Sequence, residues 1–305
     1  MEDVFLVKYK RVLLATFKNL IDFFEANNLK WFANSGTGIG AVRHQNIIPW
    51  DDDVDIFMLR EDYEKLLTLR EELKSRDLYV ETLGDENHTH SFTKIVNART
   101  TVWENKSMSN VSGVWVDVFP LDYFDGGITS YIKVHKAFQQ RFRKYQHCIQ
   151  PFSLVRFLRY LLKLDIRSAF FRKQMLKSSL SDFCSYWESL QKKDGKNLVC
   201  YSDSYEACYN KEWFEDFILM PFSDFEVRMP KAYHECLTLL YGDYMTPPSP
   251  IPSNTHSLYY VNLTEKLSED EIKEQIRSKA YLKDDNIHYG GEMTFSQILS
   301  KLKKR

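Results

Sequence analysis

The chain has 305 residues, 44% hydrophobic and 27% charged, with a formal net charge of −1 at pH 7. This is the composition of a folded globular protein large enough for one large domain or two smaller ones, and it excludes a disordered tail or a chain whose overall field would draw nucleic acid. Five cysteines, Cys148, Cys184, Cys200, Cys208 and Cys236, are odd in number and free of C-x-x-C spacing, which argues against a disulfide framework or a zinc site and fits a reducing cytoplasm.

Met1-Glu2-Asp3 lacks the basic, then apolar order of a secretion signal, and no run of about 18 uncharged apolar residues follows it, so neither export nor a membrane span is expected. From Val4 to Glu25, Phe5, Leu6, Tyr9, Leu13, Phe17, Leu20, Ile21 and Phe24 recur at helical spacing with lysines and arginine between them. This predicts an amphipathic helix lying on a core. Trp31-Phe32-Ala33-Asn34 is expected as a short strand running into Ser35-Gly36-Thr37-Gly38-Ile39-Gly40, whose glycines permit a tight turn and close approach of backbone to a ligand. A helix follows through Ala41-Val42-Arg43-His44, and Pro49 closes the connection.

Next comes Trp50-Asp51-Asp52-Asp53-Val54-Asp55-Ile56, four carboxylates in five positions walled by apolar residues. In an extended strand Asp51, Asp53 and Asp55 project to one face and Asp52 to the other. Three like charges on one face raise one another's pKa unless a cation neutralises them, and Mg2+ or Mn2+ prefers such oxygen ligands. The bland alternative, a solvated acidic turn, fits poorly with the flanking Trp50 and Ile56-Phe57-Met58. Arg60 to Leu73 returns to a helical pattern.

Leu78–Thr82, Phe92–Val96, Thr101–Trp103 and Val114–Phe119 are expected as strands, so a mixed sheet with helices is implied. The last of them sets Asp117 between apolar neighbours, as a partner for Asp53 and Asp55. From Tyr131 to Lys177 there are twelve Lys or Arg residues against one acid, Asp165. Basic amphipathic helices of this kind lie on an anionic membrane surface, hold a phosphate-bearing acceptor, or simply present a basic face to solvent. Tyr241-Gly242-Asp243-Tyr244-Met245-Thr246-Pro247-Pro248 is a helix end followed by a rigid turn.

A strand, a Ser-Gly turn, a helix, an acidic pair one residue apart and a later acid on another strand form the skeleton of a nucleotidyltransferase-like active site. The expected architecture is α+β: a nucleotidyltransferase-like mixed β-sheet core flanked by helices over residues 1–130, a helical basic insertion over 131–195, and a C-terminal helical part over 196–305 that completes the cleft. Gly36 to His44, Ile48 to Ile56, Arg60-Glu61-Asp62-Tyr63, Trp115 to Asp122 and Tyr241 to Pro248 together closely resemble the LicD family, to which the fukutin-type enzymes are related. One departure is Gly38-Ile39, where the family more often has two leucines.

The resemblance implies a metal-dependent transferase that takes phosphocholine from CDP-choline, or ribitol or glycerol phosphate from the CDP-alditol, and attaches it to a glycan or lipid-linked glycan hydroxyl. Asp53, Asp55 and Asp117 are then the catalytic metal ligands, with Asp51 as a further ligand or an outer partner. Ser35, Gly36, Thr37, Arg43, His44, Lys94 and His256 are the phosphate and substrate contacts. A peripheral position at the inner face of the cell membrane follows if the basic segment meets lipid; no nucleic acid is expected. Two other classes remain open at this point, a DxD glycosyltransferase using a UDP-sugar and a non-catalytic glycan-binding scaffold.

Overall fold

The helical spacing at the start of the chain becomes helix α1, Val4–Ala26, in the computed structural model, which describes residues 4–85, 88–106, 110–149, 172–251 and 258–291. Tyr9, Leu13, Phe17, Leu20 and Phe24 form its buried stripe. Each such side chain contributes about 1.5–3 kcal/mol when removed from water, so the stripe fixes α1 against the sheet.

Seven strands precede residue 125: β1 Phe32–Ala33, β2 Asp55–Leu59, β3 Leu78–Glu81, β4 Thr93–Asn97, β5 Thr101–Trp103, β6 Val111–Ser112 and β7 Trp115–Phe124. The main sheet has the order β1-β2-β7-β4-β3, with β2 and β7 parallel and the other neighbours antiparallel. Side chains alternate along each strand. Ile56, Met58, Val116 and Val118 therefore share the core beneath α1, while Phe57, Phe119 and Leu121 belong to a second apolar cluster on the opposite face. The parallel register sets Asp55 beside Asp117, and the antiparallel pairings continue that row through Lys94 to Glu81. One face of the sheet thus carries a line of charged residues across four strands.

Two local expectations change. The strand begins at Asp55, not Asp51; the Asp51 amide instead donates to the Ile48 carbonyl at 2.9 Å, folding the acidic run into a turn before the ladder starts. The glycine segment is helical from its first residue, as α2 Ser35–Ile39 followed by one π-helical turn, Gly40–His44. Three glycines disfavour a helix by about 1 kcal/mol each relative to alanine. Here close packing offsets that cost: a Cβ at Gly36 would strike the Asp51 carboxylate, and one at Gly40 the Asn46 carbonyl.

After β2 come α3, Arg60–Thr68, and the short α4, Arg70–Leu73, with Glu61 and Asp62 in the first turn of α3 where they complement the helix dipole. Arg60 is buried and makes a bidentate pair with Asp122 of β7, at 2.7 and 2.8 Å. The basic stretch supplies α5, Ile128–Ile149, and α6, Arg172–Leu190. The apolar stripe of α5, Tyr131, Phe138, Phe142 and Tyr145, packs with Phe183 and Trp187 of α6, so protein covers it and Lys133, Lys136, Arg143 and Lys144 face solvent. The expected amphipathic pattern from Phe152 to Leu162 lies outside the described residues, as does His256.

The C-terminal part contributes strands as well as helices. β8, Asn197–Val199, pairs with the end of β7 and with β9, Cys208–Asn210. A hairpin of β10, Phe217–Phe222, and β11, Phe225–Pro230, leads into α7, Tyr233–Tyr241. β12, Tyr260–Asn262, and β13, Ile287–Tyr289, flank α8, Glu269–Arg277, and join β5 and β6 in a second, antiparallel sheet. Among the described residues no helix is long and apolar enough to cross a membrane.

Candidate active site

Asp55 opens β2, and two contacts hold its backbone: its amide donates to the Thr37 hydroxyl at 2.8 Å and its carbonyl accepts from the Asn34 amide at 3.0 Å. The Asp117 amide donates to the Val54 carbonyl at 2.9 Å, which continues the parallel pairing one residue past the strand. Both carboxylates thus project from adjacent strands to one face. Oxygens of Asp53, Asp55 and Asp117 lie within 4.8 Å of one another, and a second such group, Asp51, Asp52 and Asp53, shares Asp53 with the first.

These charges are costly to hold together in a partly dry site. Burial, then the Asp53 charge, pushes the Asp51 carboxyl up to about 8. Asp55 is raised well above the usual carboxylate range, again by burial first and then by Asp53, Asp117 and Asp51. An all-oxygen set of crowded carboxylates is the chemistry that hard divalent cations select. Lys94, 3% exposed, stands behind the cluster with its Nζ 4.0 Å from Asp117, 3.5 Å from Glu104 and 3.5 Å from the centre of the Trp115 ring.

The cluster opens into a cleft of about 780 Å3 lined by Ser35, Gly36, Arg43, Asp51, Asp53, Asp55 and Asp117 and by a wall from far along the chain, Ser202, Asp203, Ser204 and Tyr205 with Tyr241, Asp243, Tyr244, Thr246 and Pro248. Residues 28–164 match the family model for the LicD/FKTN/FKRP nucleotidyltransferase domain. The lipopolysaccharide cholinephosphotransferase LicD of Haemophilus influenzae is 27% identical over 259 residues, covering 79% of this chain and 92% of that protein. Over residues 28–164 the chain carries a LicD-type nucleotidyltransferase domain. Two uncharacterized proteins, of Rickettsia prowazekii and Rickettsia typhi, are each 51% identical over 45 residues, 15% of this chain and 17% and 15% of theirs.

Within this LicD-type domain the expected phosphate contacts separate into two groups. Ser35, Gly36 and Arg43 line the cleft. Arg43 is held there by donating to the Tyr244 carbonyl at 2.6 Å and by stacking over Trp50, with its guanidinium carbon 5.5 Å from the ring centre. Thr37, His44 and Lys94 do not line it. Thr37 is buried beneath β2, where its hydroxyl accepts the Asp55 amide, and so positions an acid. His44 turns to a different cavity, walled by Lys10, Arg11 and Lys18 of α1; its ring meets Trp50 edge-on, and burial, followed by the charges of Arg43 and Lys10, lowers its pKa. Lys94 supplies compensating charge from behind Asp117.

The 241–248 part of the far wall was among the motifs of the sequence, and the C-terminal part was expected to complete the cleft, but residues 202–205 were not singled out. Ser202, Asp203, Ser204 and Tyr205 follow β8, and Tyr241 ends α7. The segment after β8 is positioned by α5, whose Tyr131 hydroxyl donates to the Cys200 carbonyl at 2.7 Å and whose His135 Nε2 lies 3.0 Å from the Asp203 carbonyl. All of these wall residues fall outside the matched 28–164 segment. The available signal was a Ser-Asp-Ser-Tyr cluster directly after the apolar Leu198-Val199-Cys200-Tyr201.

Proposed function

We propose that this chain is a metal-dependent phosphotransferase that moves phosphocholine from CDP-choline to a hydroxyl of a cell-surface or lipid-linked glycan. The observation that carries the reading is the convergence of Asp53, Asp55 and Asp117 at the floor of a cleft flanked by Ser35, Gly36 and Arg43. The likeness to a lipopolysaccharide cholinephosphotransferase over most of both chains supports the choice of transferred group and acceptor.

Asp53, Asp55 and Asp117, with Asp51 beside them, would hold Mg2+ or Mn2+, which supplies positive charge against the diphosphate as the bond to CMP breaks. The chain's own residues do the rest. Arg43 presents a planar pair of donors to phosphate oxygens and is kept from swinging by Trp50 and the Tyr244 carbonyl. Ser35, at the head of α2, offers a hydroxyl to the same phosphates. An alcohol is a poor nucleophile at neutral pH, and Asp117 takes its proton as the new P–O bond forms. The far wall closes one side of the cleft and limits access of water, the competing acceptor.

Purified protein, Mg2+ and a panel of CDP-alcohols test this directly, with CMP release and the mass gained by a lipopolysaccharide-type glycan as readouts. Release from CDP-choline with a matching mass gain is expected. Preference for CDP-ribitol or CDP-glycerol moves the assignment to an alditol phosphate, and hexose transfer from a UDP-sugar without CMP release removes it. The exposed Lys133, Lys136, Arg143 and Lys144 of α5 support a contact with the anionic membrane that carries a lipid-linked acceptor. Flotation with anionic liposomes that 0.5 M salt does not weaken, or no flotation at all, removes that contact.

A further inference from the structure

Resting on the proposed phosphocholine transfer, we infer that Tyr205, Tyr241 and Asp203 form the pocket for the quaternary ammonium of the donor. A trimethylated ammonium has no N–H to donate, so a site recognises it by aromatic faces and negative charge. The far wall of the cleft offers both. The rings of Tyr205 and Tyr241 stand 5.1 Å apart between centroids with their planes at 67°, making two walls of a corner. Asp203 lies beside that corner in the same wall, only 8% exposed, with Oδ1 accepting the Tyr205 amide at 3.1 Å. The carboxylate is thereby tied to the segment that carries the ring.

The corner shares its cleft with the acids: Tyr205 and Tyr241 line it together with Ser35, Asp51, Asp53 and Asp55. One cleft therefore holds a place for each end of phosphocholine, the acids for the metal that meets the phosphate and the corner for the ammonium. A polyol such as glycerol or ribitol would need several donors and acceptors here, where the corner presents two ring faces. Tyr205 is 43% exposed, so its ring has little part in the core and its placement at the cleft is left to binding.

The experiment uses the full chain and two readouts. Calorimetric titration with phosphocholine and with glycerol 3-phosphate measures binding; CMP release from CDP-choline and CDP-glycerol measures turnover. Wild type is expected to favour phosphocholine, and Tyr205→Ala to weaken it about tenfold, the scale of a lost desolvated cation–aromatic contact, while glycerol 3-phosphate changes by less than about twofold. Asp203→Asn, which keeps the acceptor for the Tyr205 amide, is expected to act in the same way with circular dichroism unchanged. The same split should appear in KM for the two CDP-alcohols with kcat nearly constant. Equal weakening of both ligands overturns the inference and assigns the rings to something both share. Equal wild-type affinity for the two ligands overturns it as well. Failure of the proposed function is a separate result: no CMP from any CDP-alcohol, whatever the titration gives.

Discussion

Asp51→Asn should make the metal-free protein more stable while making it a worse enzyme. In the folded chain the Asp51 carboxyl titrates near 8, raised first by burial and then by Asp53, from an ordinary value of 3.8. An acid whose folded pKa lies above its unfolded one costs nothing below the unfolded value. Its destabilisation grows as pH rises through 3.8 and levels off above about 8. At pH 7 about 3.2 of those pH units have been crossed, each worth about 1.4 kcal/mol, giving an upper bound of about 4 kcal/mol. Asparagine has nearly the same shape and no charge to desolvate; neighbouring carboxylates share part of the relief, so a gain of about 2–4 kcal/mol is expected at pH 7. Urea denaturation in chelator at pH 5, 7 and 8.5 measures it, with the slope m unchanged if only stability moves. The gain should be smallest at pH 5. Magnesium should then narrow the difference, because a ligand at about 100 times its Kd stabilises by about 2.7 kcal/mol and the variant has lost a carboxylate from the cluster. A midpoint at pH 7 equal to wild type, or a gain that is the same at pH 5 and pH 8.5, would refute the reasoning.

Asp53→Asn and Asp55→Asn should each lower kcat by at least about a hundredfold with native circular dichroism, since about 2.7 kcal/mol of lost transition-state stabilisation has that effect; near-normal turnover of either variant removes the metal site from the mechanism. Gly36→Ala and Gly40→Ala separate site from scaffold. The first meets only the movable end of Asp51 and should change stability by less than about 1 kcal/mol while weakening Mg2+ binding, whereas the second meets the Asn46 backbone carbonyl and should cost about 1–3 kcal/mol in urea denaturation. Arg60→Met leaves Asp122, 1% exposed, buried without its cation and should destabilise by about 3–5 kcal/mol; a loss below 1 kcal/mol would mean that the Trp187 indole, which donates to Asp122 Oδ2 at 3.3 Å, suffices on its own.

What was legible in the sequence was whatever a short-range period encodes. The stripe of α1 and the acid-between-apolars pattern of β7 repeat within a few residues, and their faces in the fold follow from helix and strand geometry. Asp55 and Asp117 could be paired in advance for the same reason, since two strands that each put an acid among apolar neighbours must turn both acids to one face once the apolar positions claim the other. The acidic run misled at its start because spacing by two describes a strand only where a ladder exists. The Asp51 to Ile48 turn keeps residues 51–53 out of the ladder, and Asp51 and Asp52 crowd around Asp53 instead.

Lys94 shows the limit of the same argument. Its inward face was legible, and it lies in the row of Asp55 and Asp117, but strand periodicity does not say whether a row position opens on a cleft or backs onto protein. Here Trp115 and Glu104 occupy the space in front of its ammonium, which turns an expected phosphate contact into a counter-charge for the cluster. The far wall is the opposite case. Asp203 and Tyr205 have no periodic neighbours to announce them, and Tyr131 and His135, some 70 residues earlier on α5, help to hold residues 200–203 at the cleft by their carbonyls. In this chain the basic insertion therefore has a structural consequence beyond its charge. By burying its aromatic stripe against α6 it orients the loop that faces the carboxylates, and substitutions along that stripe should alter the shape of the cleft before they alter any acid in it.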